Sequence, residues 1–330
     1  MSKTKYDFVA IGDQMTDAFI RLRDAEVHSI SHEKKLICMR FADKIPYESV
    51  EIIQAVGNGA NAAIAAARLG LRSALVTNVG ADRNGEDALA VYKKEHVGGE
   101  YIKINRGKKT NYHYVLSFRG ERTILIKHEQ YTYVLPDIGE PAWIYFSSVG
   151  EKSLAFHKQI ARYLSKHPGI KLAFQPGTFQ IKMGKKKLKG IYQRTEVFIS
   201  NRDEAQKISG NNGRDIKKLL DSIHRLGPQI VVITDGKEGA YVREGGEYWF
   251  MPVYPDIKPP LERTGAGDAF SATFVAALAY GEDIETALRW APVNSMSVVQ
   301  YVGARTGLLS RQKLEQYLAK APAGYKPRRI

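Results

Sequence analysis

The sequence predicts a three-layer α/β fold, with a mainly parallel central sheet flanked by helices and a small β-sheet standing apart from it as a lid. Three observations predict it. Apolar strand-like runs alternate with helical patterns along nearly the whole chain. Ile230–Thr234 is continuously β-branched, the pattern of a strand buried on both faces. Two stretches interrupt the alternation with period-two patterning, which suits half-exposed antiparallel strands.

The elements follow in order. Phe8–Ile11 is a short apolar strand. Asn58–Gly70 is alanine-rich and reads as a buried helix stopped by Gly70. Ser73–Val79 is a strand and Glu86–His96 an amphipathic helix. Trp143–Ser148 is a strand, followed by a helix over Lys152–His167. Lys171–Phe174 and Val197–Ser200 are further strands. Asp215–Leu226 is helical, with Ile216, Leu219, Leu220 and Ile223 on one face. The helices Ala266–Tyr280, Glu285–Val302 and Arg311–Ala319 follow, the last with Ser310 as N-cap. The interrupting stretches are Ala18–Arg23 with Leu36–Phe41, and Tyr112–Phe118 with Thr123–Lys127 across a turn at Arg119–Gly120. They are read as lid segments, about residues 17–50 and 104–130, of a single domain spanning residues 1–330. Extra edge strands on the main sheet are the alternative.

Composition narrows the function classes. The chain has 330 residues, 44% apolar and 25% charged, which excludes disordered and fibrous proteins. Its longest apolar runs, such as Phe270–Ala279, are too short to span a bilayer. The polar start at Met1–Asp7 carries no signal-peptide pattern, and a single cysteine, Cys38, suits a reducing cytoplasm. The net charge of +14 points to an anionic partner: a nucleic acid, a membrane surface or a phosphorylated small molecule. The eight histidines and one cysteine show no zinc-ligand spacing, and no Walker loop or G-x-G-x-x-G is present. His113 and His128 lie on the lid segments. The lysine cluster Lys182–Lys189 reads as a solvated loop.

Five short segments carry chemistry. Thr264-Gly265-Ala266-Gly267-Asp268 opens an apolar helix, so its free N–H groups and positive dipole end form an anion site. Asp268 in that first turn can accept a proton from an attacking hydroxyl, or simply stabilise the helix start. Gly57-Asn58-Gly59-Ala60-Asn61 opens the alanine helix, and its amides offer donors and acceptors together, which suits a polyol. An N-cap and glycine turn is the plain alternative. Asp13 and Asp17 follow the first strand, where open α/β sheets bind ligands. Asn201 and Glu204, at i and i+3, offer hard oxygen ligands for Mg²⁺ held through water. Thr234-Asp235-Gly236-Lys237-Glu238-Gly239 follows the β-branched strand and reads equally as a nucleotide loop or a hairpin turn.

In this order the motifs resemble the ribokinase-like carbohydrate and nucleoside kinases of the phosphofructokinase B family, across roughly Tyr6–Gly307. Gly57–Gly70 is similar to the family's N-terminal signature and Arg263–Phe270 to its C-terminal one. Gly80–Gly85, Asn201–Glu204 and Thr234–Ala240 resemble three further family segments. The resemblance implies Asp268 as catalytic base, with Gly265, Ala266 and Gly267 as the anion hole. It implies Asp17, Gly57, Gly59 and Asn61 as substrate contacts. It also implies Asn201, Glu204, Thr234, Gly236, Gly239 and Asn294 around the nucleotide, with ATP and Mg²⁺ as cofactors. The small sheet would be a lid that covers the substrate and can make a homodimer contact.

Two departures stand out. Glu262-Arg263 replaces the family's Asp-Thr, which leaves a monovalent cation open and sets Arg263 beside the phosphates. Gln175-Pro176-Gly177 replaces Asp-Pro or Asn-Pro, a change expected to act on substrate choice. The expected activity is ATP-dependent phosphorylation of a primary hydroxyl on a ribose-type sugar, an adenosine-like nucleoside or a hexose. The lid aromatics Tyr112, Tyr114 and Phe118 suit stacking on a base or sugar face and equally a plain dimer interface. No nucleic-acid or membrane partner is expected. A catalytically quiet sugar- or nucleoside-binding regulator on the same fold is the alternative.

Overall fold

The computed structural model describes residues 5–31 and 35–330. The reading of the N-terminus therefore lies partly outside the described residues, at 1–4, as does the part of the first lid segment at 32–34. Along the chain run β1 (Phe8–Ile11), β2 (Met15–Leu22), β3 (Glu26–Ser29), β4 (Lys35–Cys38), β5 (Tyr47–Val56), α1 (Asn58–Arg68), β6 (Ser73–Gly80) and α2 (Arg83–Lys94). Next come β7 (Ile102–Asn105), β8 (Tyr112–Phe118), β9 (Glu121–Lys127), β10 (Trp143–Phe146), α3 (Leu154–Lys166), β11 (Lys171–Phe174), α4 (Thr178–Met183) and α5 (Lys189–Tyr192). The chain continues with β12 (Thr195–Asn201), α6 (Arg202–Ser209), α7 (Ile216–His224), β13 (Ile230–Thr234), β14 (Ala240–Glu244) and β15 (Glu247–Met251). It closes with α8 (Ala266–Ala279), α9 (Ile284–Val298), α10 (Arg311–Ala319) and β16 (Arg328–Arg329).

Ten strands form the main sheet in the order β16-β15-β14-β13-β12-β11-β10-β1-β6-β7. The pairings from β7 through β13 are parallel, and β14 to β16 add an antiparallel edge. Both sheet faces are covered. Val9, Ile11, Ile144 and Phe146 pack on one side with α3 and α7, while Phe8, Ala10 and Tyr145 pack on the other with α1, α8 and α9. This two-sided burial explains why the central strands read as unbroken apolar runs.

The expected separate sheet exists, in the order β5-β2-β8-β9. Its composition differs from expectation in one respect. Lys35–Cys38 pairs with Glu26–Ser29 in a two-stranded sheet of its own, and the partner of β2 is Tyr47–Val56. The first half of β5 is exposed and polar-interrupted, so it gave no clear alternation. The antiparallel edge β14–β15 also went unread, because the preceding loop was compatible with either a turn or a ligand site. It proves to be a hairpin connection: Gly236–Glu238 forms one 3₁₀ turn before the chain reverses into β14.

Helix α1 lies unusually close to the sheet. A methyl added at Gly59 would sit 2.9 Å from Gly12 Cα, and one at Gly57 (φ +116°) would sit 2.6 Å from the Asp13 carbonyl oxygen. Any side chain at either position would push the helix start off the end of β1. Among the described residues no helix is long and apolar enough to cross a membrane.

Candidate active site

The connections run one way from β1 to β6 and the other way from β10 to β13. The carboxyl ends of β1 and β10 therefore flank a topological switch point, where open α/β sheets leave a crevice. The first turn of α8 points into it. Gly265 caps this helix with φ +81°, and a methyl there would meet Ala304 Cβ at 2.3 Å, so only glycine fits. No side chain caps the helix, and its Ala266 N–H makes only a long bond of 3.4 Å to the Arg263 carbonyl, so the helix start can receive an anion.

Asp268 sits in that turn and is held by three amides from two distant elements. Asn58 Nδ2 donates to Oδ1 at 3.0 Å, Asn61 Nδ2 to Oδ2 at 2.8 Å, and Gln175 Nε2 to Oδ1 at 3.2 Å. Burial pushes the carboxyl up from the usual range; the amides of Asn61 and Gln175 and the charge of Arg122 oppose that rise. The carboxylate keeps a lone-pair direction for one further donor.

Beside it lies a pocket with unmet hydrogen-bonding capacity. Asp17 and Asn61 are buried, and Asp17 Oδ1 and Asn61 Oδ1 find no hydrogen-bond donor among the described residues. Buried acceptors without donors are costly unless a ligand supplies them. Burial, then the charges of Glu262 and Asp268, push Asp17 up to about 7. His113 Nδ1 lies 3.5 Å from Asp17 Oδ1, and burial followed by the neighbouring His128 lowers its pKa to about 4. His128 stands 5.1 Å from the His113 ring and 3.4 Å from Asp13, which also accepts from Tyr133 Oη at 2.8 Å.

β8 alternates strictly, so Asp17 and His113, paired in register, share the inner face while Tyr112 and Tyr114 lie on the opposite one. The inward side chain of this strand at the site is a histidine.

A cleft of about 550 Å³ adjoins the anion site on its far side. Thr234, Gly236 and Gly239 line it with Lys237, Arg263, Ala266 and Gly267. Asn201 and Glu204 cap α6 reciprocally: Asn201 Oδ1 accepts from Glu204 N at 2.9 Å and Glu204 Oε2 from Asn201 N at 3.0 Å. Arg202 ties this helix to the loop through an ion pair with Asp235 at 2.7 Å. Asn294 lies on the inner side of α9. It is fully buried, donates to Thr273 Oγ1 at 2.7 Å and accepts from Leu309 N at 3.0 Å, so it holds helices together and does not reach the cleft. The cleft-facing positions of α9 are Pro292, Ser295, Met296 and Val299, spaced i, i+3, i+4, i+7. That spacing was present in the sequence and would have identified the face.

Among the described residues no cluster of three or more His, Cys, Asp or Glu side chains is arranged to hold a metal. Mg²⁺ fits such a site only if phosphates and waters supply most of its ligands, its usual habit. Glu204 suits that arrangement: it is half-buried and its pKa is raised, chiefly by burial and further by the charge of Asp268.

Sequence reasoning missed three contacts. Gln175 touches Asp268. His113 touches Asp17. Arg122, from β9, pairs with Glu262 at 3.2 Å, while Glu262 also accepts from Thr264 N at 2.8 Å and Gly303 N at 3.1 Å.

A carboxylate at a helix start, between a polar pocket and a glycine-lined cleft, defines the chain as a small-molecule phosphotransferase of α/β type. The model of the pfkB family of carbohydrate kinases matches residues 52–311, and the chain belongs to that family. It is 27% identical over 271 residues to a ribokinase of Bacillus subtilis, covering 80% of this chain and 87% of that protein. It is 25% identical over 259 residues to a nucleoside kinase of Methanothermobacter thermautotrophicus, covering 76% and 80%. In structure it resembles the Arabidopsis thaliana ribokinase complexed with ribose and ATP, with a TM-score of 0.78 at 19% identity over 95% of this chain and 98% of that one.

Proposed function

We propose that the protein transfers the γ-phosphoryl group of ATP to a primary hydroxyl of a ribose-type sugar, a nucleoside or a hexose, with Asp268 as general base. The observation that carries this reading is the position of Asp268. It separates a pocket whose orphan acceptors need hydroxyl donors from a cleft large enough for a nucleotide. Asp17 and Asn61 receive the acceptor's hydroxyl groups, with Gly57 and Gly59 letting the backbone approach. The acceptor oxygen attacks the γ-phosphorus, the bond to the bridging oxygen breaks, and the proton passes to Asp268. N–H groups of Gly265, Ala266 and Gly267 receive the charge on the phosphoryl oxygens. Thr234, Gly236 and Gly239 line the nucleotide's berth. Asn201 and Glu204 would hold Mg²⁺ through water, and the ion would neutralise phosphate charge. The test is nucleotide-diphosphate release against a panel of sugars and nucleosides with ATP and GTP as donors. Release with none of them overturns the reading.

In this reading the chain works as one kinase domain, in a cytoplasmic setting, with segments 17–50 and 104–130 as its lid. The lid excludes water from the transfer. Its outer face exposes Val50, Ile52, Tyr114 and Leu125, which supports self-association through that sheet. Sedimentation should give a dimer for the wild type and a monomer for Ile52→Lys with Leu125→Lys; an unchanged mass in the double variant refutes this contact.

Glu262 and Arg263 bear on the monovalent cation. The carboxylate of Glu262 is engaged by Arg122, Thr264 and Gly303, and Arg263 lines the cleft. These two arginines supply the positive charge a bound cation would give. Arg263→Thr is expected to raise the nucleotide KM about tenfold, and potassium should then restore part of the loss. An unchanged KM and unchanged potassium response would refute the role.

A further inference from the structure

Outside the assigned site, a cavity of about 360 Å³ between β6, β7 and α3 has its main polar groups engaged: Asp13 accepts from Tyr133, Asn78 from Asn105 and Glu100 from Tyr6, while Thr77 Oγ1 is buried without a hydrogen-bond partner among the described residues. The lysine cluster at 182–189 faces solvent and carries no second feature. The residue that the proposed chemistry leaves unexplained is Gln175.

We infer that Gln175 is a positioning residue for the proton-accepting carboxylate. Locked by Tyr145, it fixes the orientation of Asp268 and favours its ionised form. The inference rests on the reading of Asp268 as the base. Its geometry is specific. Gln175 stands at the carboxyl end of β11, and its Oε1 accepts a short hydrogen bond from the Tyr145 hydroxyl. Tyr145 is fully buried in β10. Because a phenol donates to Oε1, the amide can only turn its Nε2 hydrogens toward Asp268, where one meets Oδ1 at 3.2 Å. A flipped amide would set its oxygen against the carboxylate. Asparagine, one methylene shorter, does not span both partners from this position, which gives the departure from the family's Asn-Pro a physical purpose.

Other charges around Asp268 come from each neighbouring element. Asp17 on β2 and Glu204 on α6 repel its ionised form, Arg122 on β9 favours it, and Glu262 partly neutralises that arginine. The amides of Asn58 and Asn61 act from α1. Gln175 is the only one of the three amides whose direction is fixed by a buried hydroxyl.

Removing the donor destabilises the carboxylate, so Asp268 protonates at a higher pH. For Gln175→Met, the acidic limb of the kcat profile should move up by about one pH unit. kcat near neutrality should fall about tenfold, while the acceptor KM changes less than threefold. Gln175→Glu, which replaces a donor with a like charge, should shift the limb further. Tyr145→Phe should shift it in the same direction by less. Carbon-13 NMR titration of the Asp268 carboxyl in the unliganded protein reads the same shift without turnover, and thermal melting checks that each variant is folded. An unmoved titration in folded Gln175→Met and Tyr145→Phe overturns the inference. A moved titration in a protein that phosphorylates no acceptor upholds it and overturns the kinase reading instead.

Discussion

Asp268→Asn is expected to lower kcat by about 10²- to 10⁴-fold with little change in the acceptor and nucleotide KM values, as measured by steady-state kinetics. The carboxylate lies in the first turn of α8, beside both the acceptor pocket and the cleft. Its removal takes away the proton acceptor and leaves the binding groups in place. Asparagine keeps the volume and one acceptor oxygen, but its own amide hydrogens then face donors from Asn58, Asn61 or Gln175. One of these must rotate away. The fold should survive, because nothing in the core depends on the charge; a melting temperature within a few degrees of the wild type would show it. Turnover within threefold of the wild type would exclude Asp268 as the base.

Asp17→Asn should raise the acceptor KM about a hundredfold while kcat falls far less. Two hydroxyl donors on a buried carboxylate contribute roughly 1.5–3 kcal/mol each, and the neutral amide keeps only part of that. The pH dependence gives an independent check. Burial and the charges of Glu262 and Asp268 hold Asp17 at about 7, so in the free protein it is protonated below that value and ionised above it. A diol binds the ionised form as a pair of donors. The wild-type acceptor KM should therefore be flat above about pH 7 and rise by up to tenfold for each unit below it. In Asp17→Asn the slope should vanish. A KM independent of pH in the wild type would remove Asp17 from the acceptor site. The nearby histidine does not reproduce this profile, since His113 titrates near 4 and stays neutral across the range.

How the site was built also explains what could be read beforehand. The glycine–aspartate loop was legible because its meaning is local. A left-handed Gly265, small residues and an acid in the first turn specify an uncapped helix start within five positions. The same holds for Gly57–Asn61, where Gly57 fits against Asp13, Gly59 fits against Gly12 and the amides open the helix. Strand identity was legible where burial on both faces left an unbroken apolar run, and less so at β5 and β14, which are half-exposed. The direction of Asn294 was not legible, because a single residue in a helix says little about direction. One step along α9 turns a side chain by about 100°, enough to move it from the cleft at Ser295 to the interior at Asn294.

The sequence by itself determined the layered α/β architecture, the separate small sheet, the glycine-rich helix start and the chemical class of the reaction, since each rests on patterns a few residues long. Only the tertiary structure decided what surrounds the Asp268 carboxylate. Gln175 lies 93 residues from Asp268 and Asn58 lies 210 from it, and Arg122 meets Glu262 across 140. A short motif records the backbone it needs; the partners that set its charge and direction arrive from distant strands and helices. Their arrival depends on strand order and register, which no local spacing encodes.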